Sequence, residues 1–283
     1  MKTIRILSLA LVVSAALLLN SCKKDTTTNN DSQTAEQHSL AENTFNDVHN
    51  IADEAASTGQ LSSYKTDGEQ GLTSNATVTI DSVTAPGFRK VTVDFGTSNV
   101  VCADGRTRRG KIIIRHAGKY FDTGTVITIS FDNYFVNDNQ VLGTKTITNN
   151  GTNAQGHPTF SIEVDGSLVL GSGAGTITWK SSRTREYLEG YLTPSNRFDD
   201  KVQVTGSASG TTASGNVFTV TITSPLLRDF TCPLGDGRWH FVSGTLVMTR
   251  TGKSDVTIDF GNGACDKLAT ATVNGKVFNI TLR

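Results

Sequence analysis

Net charge is missing from this 283-residue chain, in which 26 lysines and arginines face 26 aspartates and glutamates. A nucleic-acid binder needs clustered basic side chains to neutralise phosphates, so that partner class is excluded. Hydrophobic runs of membrane-crossing length are missing too. The longest, from Ile6 to Leu19, has fourteen residues and is followed by Lys23, Lys24 and Asp25, whereas a spanning helix needs about 20. Histidine is sparse, and His38, His49, His116, His157 and His240 lie without metal-ligand spacing. On a helix His38 and His49 would share nearly one face but sit about 16 Å apart along the axis, too far to hold one ion. There is no CxxC pair, HExxH helix motif, phosphate-binding glycine loop or GxSxG elbow. The sequence predicts no cofactor, no metal and no catalytic residue.

What is abundant is β-branched alternation. Val91, Val93 and Phe95 alternate with Thr92 and Asp94, and Val256, Ile258 and Phe260 alternate with Thr257 and Asp259, the period of strands with one dry face. Further strand-like runs, "TVITISF", "GTKTIT", "TFSIEV", "TITW", "KVQVTGSA" and "VFTVTIT", are separated by Gly-, Asn-, Asp- and Pro-rich joints. No joint has helical length, so parallel crossovers are excluded. About a dozen strands are too many for one flat sheet. The expectation is an all-β fold, a large curved antiparallel meander (clam or open sheet, or alternatively a two-layer sandwich) with one N-terminal amphipathic helix.

"VTVDFG" at 91–96 returns as "VTIDFG" at 256–261, and the same offset aligns Gly87 with Gly252, Gly110 with Gly275 and Lys111 with Lys276. Asp-Phe-Gly binds metal in protein kinases, but the other kinase elements are absent. Duplication at one offset implies a repeated structural unit, over about 76–116 and 241–281, with Asp94 and Asp259 as solvated strand-end carboxylates.

The helix is read over 37–58, from Leu40, Phe45, Val48, Ile51, Ala52 and Ala55, with Ser39 as N-cap and Gly59 as stop. Its stripe either packs on the sheet or is displayed to a partner. The preceding 22–36 lack any apolar residue larger than alanine after Cys22 and read as a disordered tether. The β domain then occupies 59–283.

Of the other cysteines, Cys232 and Cys265 flank the hairpin formed by "WHFVSGTLVMTR" and "VTIDFG", so a bridge between them is one expectation and a Cys102–Cys265 bridge across the two repeats is the other. Arg106, Arg108 and Arg109 stand near Cys102 and would favour a thiolate, but no histidine partner is indicated and Cys102 reads as a buried or loop thiol. Glu186 with Glu189, and Asp199 with Asp200, are the carboxylate pairs a glycoside hydrolase would require. In "SSRTREYLEGYLTP" the acids are instead expected to pair with Arg183 and Arg185 at the surface. Trp179, Tyr187 and Tyr191 are the candidate ligand-binding rings, able to stack on sugar if exposed and otherwise packed in core or rim.

Lys2 and Arg5, the apolar run and Ser21 before Cys22 follow the order of a secretory signal over 1–21. Leu19-Asn20-Ser21-Cys22 resembles the lipobox of bacterial lipoproteins, and with the charged residues behind it the chain is similar to uncharacterised cell-envelope lipoproteins of Bacteroidota-type bacteria. The resemblance implies a lipidated Cys22, palmitate among its acyl chains, and attachment to the cell outer membrane on a periplasmic or surface-facing side. Several acyl chains make such attachment stable. The expected function is a non-enzymatic binding or structural module of the envelope, with a glycan, a lipid or an envelope protein as partner. The rival readings are a surface glycan binder, a β-clam enclosing lipid against Ile127, Ile129 and Phe131, and a glycoside hydrolase.

Overall fold

The computed structural model describes residues 26–58, 76–82 and 88–282 apart from 103, 172, 194–195, 197 and 233–240. The signal segment, the lipobox with Cys22, Gly59 and the Gly87 turn lie outside the described residues.

One helix, α1 (Thr26–Thr58), precedes fourteen strands: β1 (Thr77–Ser82), β2 (Phe88–Asp94), β3 (Val100–Val101), β4 (Thr107–Ala117), β5 (Val126–Val136), β6 (Asn139–Thr152), β7 (Pro158–Val169), β8 (Thr176–Glu189), β9 (Lys201–Thr211), β10 (Val217–Asp229), β11 (Phe241–Arg250), β12 (Val256–Asn262), β13 (Leu268–Val273) and β14 (Lys276–Thr281). All pairings are antiparallel between neighbours in the chain, except that β2 skips to β4 while β3 pairs with the start of β4. β1 and β14 are the two open edges. The expected all-β meander with one helix is therefore a single open sheet, not a sandwich.

Alternation writes the two faces. Along β8 every second residue from Thr176 to Thr184 is exposed, and Ile177, Trp179, Ser181 and Arg183 between them are buried. At the β5–β6 hairpin Asn137 and Asp138 both take positive φ, 47° and 61°, the geometry of a two-residue turn that preserves strand twist.

The inner face wraps the helix. Buried helix residues run from Asp47 round through Val48, Phe45 and His38 to His49, an arc of about 200° at 100° per residue. A flat sheet covers only a stripe, so coverage of more than half the circumference requires a curved sheet. Helix contacts fall on β2, β4, β7 and β8, and Ile112, Ile114, Ile129, Ile147, Phe160 and Leu168 form the apolar floor. The helix thus packs in the trough and is not displayed.

Glycines make room for it. Gly166 lies beside Gly143 on one side and Trp179 on the other, and a methyl group there would run into the Phe45 ring. Phe45 stacks on Trp179 at 5.5 Å between centroids and 13° between planes.

Two sequence expectations need correction. The helix starts at Thr26, inside the segment read as tether, and Ser39 is an exposed mid-helix residue. In the added stretch Thr34 is buried, and just beyond it Gln37 and His38, already within the expected helix, are buried too, with Gln37 Oε1 accepting from the Ala213 amide at 2.8 Å. The repeats sit near opposite ends of the sheet and are only partly alike. Asp94 and Asp259 each accept from the glycine two residues on, at 2.8 Å, with Gly96 and Gly261 at positive φ; the expected strand-end position holds for Asp94, whereas Asp259 lies within β12 beside a bulge in its pairing with β11. In the second copy, however, β13 is inserted where β2 pairs directly with β4 in the first.

The disulfide joins Cys232 to Cys265, with Cα atoms 5.3 Å apart, and Cys102 is a free, buried thiol. Among the described residues no helix is long and apolar enough to cross a membrane.

Candidate binding cleft between helix and sheet

Charge is concentrated where α1 meets the sheet. At one place Arg108, with no exposed surface, gives Nη2 to both Asp47 carboxylate oxygens at 2.9 and 2.8 Å and is held by Asp104 at 2.8 and 2.7 Å. Arg106 adds a contact to Asp47 at 3.2 Å. Burial alone would lower the Arg108 pKa, but Asp104 and the Asp47 charge raise it above its ordinary value. Burial raises Asp104 in turn, and Arg108 outweighs that and lowers it. The same burial pushes the Cys102 thiol up, despite Arg108 nearby.

Further along the helix, Glu42, Asn46, His49 and Asn50 line a cleft of about 70 Å³ against β6–β11. Period two on β8 sends Trp179, Ser181, Arg183, Arg185 and Tyr187 toward it, Lys145 enters from β6 and Arg228 from β10. His38 Nε2 meets Glu42 Oε2 at 3.0 Å, the Trp179 indole N–H donates to His38 Nδ1 at 3.3 Å, and Lys145 Nζ donates to the Phe45 carbonyl at 2.9 Å. Arg185 reaches His49 Nε2 at 2.5 Å and the Tyr120 hydroxyl at 3.1 Å. For Glu42, burial alone would raise the pKa; the His38 hydrogen bond and charge, then the charges of Arg183 and Arg228, lower it from 4.5 to about 2.

Arg183 and Arg185 are therefore not surface partners of the neighbouring acids, as the sequence suggested. Glu186 points to the other face, where it accepts from Asn153 at 2.9 Å and Gln203 at 2.7 Å and meets His157 Nδ1 at 2.7 Å. Glu189 pairs with Lys201 at 3.1 Å, and Asp199 accepts from Thr193 at 2.6 Å. Neither expected carboxylate pair faces the other across a cleft. The acids that do line the cleft are Glu42 and Asp200, and a glycosidase acid needs a raised pKa, opposite to the shift of Glu42.

The three candidate rings part company. Trp179 and Tyr187 are 3 % and 8 % exposed and form cleft wall, while half-buried Tyr191 lies edge-on to His157 at 6.3 Å. They form no exposed ridge for a sugar to stack on. The trough expected to hold lipid is filled by α1, with Phe45 edge-on to Phe131 at 6.2 Å. A larger, shallow depression of about 620 Å³ across β6–β10 is lined mostly by Thr, Ser and paired charges and by no ring, so it has less to grip with than the cleft.

Sequence reasoning did not single out Glu42, Lys145 or Arg228, and weighed His38 only as a metal ligand. The available signal was the continuation of alternation through Trp179 and Ser181 to two arginines, which placed positive charge on an inner face. The class defined by these observations is an open antiparallel sheet curled around its own N-terminal helix through a charged interface. Comparison with protein-family models, curated proteins and solved structures found no match, so its function is argued from its own chemistry.

Proposed function

We propose that the protein is a lipid-anchored lipoprotein of the bacterial outer membrane, acting as a non-enzymatic binding or structural module of the envelope. The observation that carries this is the position of Cys22, directly after an apolar run too short to span and four residues before α1 begins. Four residues reach at most about 14 Å, so acyl chains on that sulfur hold the module close to the headgroups. Because α1 is built into the core through Asp47 and Phe45, a pull on the anchor is borne by the sheet. The disulfide agrees with an oxidising envelope compartment.

Labelled palmitate should enter the wild-type protein and not the Cys22→Ala form, and Cys22→Ala should move from the membrane to the soluble fraction. Equal labelling of both forms, or unchanged fractionation, overturns the proposal.

A further inference from the structure

The cleft is lined by four cationic side chains, Lys145, Arg183, Arg185 and Arg228, and by two acids, Glu42 and Asp200. Within it Arg183 is 7 % exposed, and its two terminal nitrogens hydrogen-bond to no described residue. Its ion-pair partner, Glu42 Oε1, stands at 3.6 Å, outside hydrogen-bond reach. A guanidinium is a planar fork matched to carboxylate and phosphate, and a buried donor left unmet is costly.

We propose that the cleft binds a small oxyanion, a carboxylate or phosphate group, on the Arg183 fork. The volume of about 70 Å³ has room for such a group, since a single water needs only about 10–15 Å³ of space measured in this way. Glu42 is the gate. Its Oε2 is held by His38 at 3.0 Å, its Oε1 faces Arg183 loosely, and its side chain keeps 21 % exposure, so the carboxylate can turn away from Arg183 while keeping His38. The guest then takes the place of Oε1, with Trp179 and Tyr187 as the dry wall that strengthens the contact. This site is independent of the anchor: failed anion binding leaves the lipoprotein reading intact, and failed lipidation leaves the cleft intact.

Trp179 is a cleft wall, and the sequence holds two tryptophans. A Trp239→Phe form therefore reports from Trp179 alone. Titration with sodium phosphate or sodium acetate should give a saturable fluorescence change that sodium chloride of equal ionic strength does not. Saturation should also raise Tm by about 5 °C. Response to phosphate alone marks a phosphate-bearing ligand, and response to acetate alone a carboxylate. Arg183→Gln should weaken binding by about tenfold or more, and Glu42→Gln, which removes a competing charge in the same shape, should tighten it severalfold. The proposal is overturned if neither anion gives a saturable response up to about 20 mM, or if Arg183→Gln binds as the wild type does. Should Arg183→Gln not fold, Glu42→Gln decides alone, and unchanged or weaker affinity overturns the idea.

Discussion

At the scale of single residues, buried charge on the helix is neutralised in place, and breaking one pair exposes the cost. Asp47 is the helix's contribution to the Arg108 knot. Asp47→Asn leaves a guanidinium with no exposure short of one acid, and such losses run to about 3–5 kcal/mol. Urea unfolding should show a fall of about 3 kcal/mol, and an Asp47→Leu, Arg108→Met double variant should lose less than the two single variants together. Glu42 gives a pH dependence. Its folded pKa of about 2 lies below the ordinary 4.5, so its contribution is complete above roughly pH 4.5 and is lost as pH falls toward 2. The size is on the order of 3 kcal/mol. Tm measured against pH should therefore separate wild type from Glu42→Gln at neutral pH and bring the two curves together near pH 2. Cys102, buried and with its thiol pushed up, should resist iodoacetamide in the native state and react on unfolding.

At the scale of elements, the glycine that admits Phe45 can be tested directly. Gly166→Ala places a methyl against a ring already stacked on Trp179, where no flexible end can yield; overpacking of this kind costs about 1–3 kcal/mol. Phe45→Leu should be destabilising alone yet recover part of the loss in the Gly166→Ala background, as read by thermal unfolding. The central strands were legible because they carry a period of two: "TFSIEV" and "TITW" lie within β7 and β8 with the faces that alternation assigned. The start of α1 was not legible, since apolar spacing marks only the stripe around Phe45 and Val48. Thr34 is a buried polar residue, and the neighbouring Gln37 and His38 are held by Ala213 and Trp179, far off in sequence, so burial at this end has no apolar local signature. The cleft was hidden for the same reason: Arg183 and Arg185 beside glutamates look like solvated ion pairs until the opposite charge arrives from the helix.

At the scale of the whole molecule, the helix and the disulfide secure different regions. The helix contacts β2, β4, β7 and β8, whereas the Cys232–Cys265 bridge ties the loop after β10 to the loop after β12, across 33 positions. In the chain-entropy account a loop of that size contributes about 3–4 kcal/mol. A Cys232→Ser, Cys265→Ser variant should lose that much, with amide exchange rising first in β12–β14 and the strands under α1 staying protected. Equal loss of protection across the sheet would show that the two regions are one cooperative unit.

The bond from Trp179 to His38 spans 141 positions, and that separation is also a delay. Neighbouring strands can pair as soon as their hairpin has been made, but the helix emerges from the ribosome first and finds its aromatic seat only when β8 follows. At about 5–20 residues per second, the interval is on the order of ten seconds, during which a segment destined for the interior has nothing to rest against. Guarding that newborn helix falls to whatever escorts the growing chain.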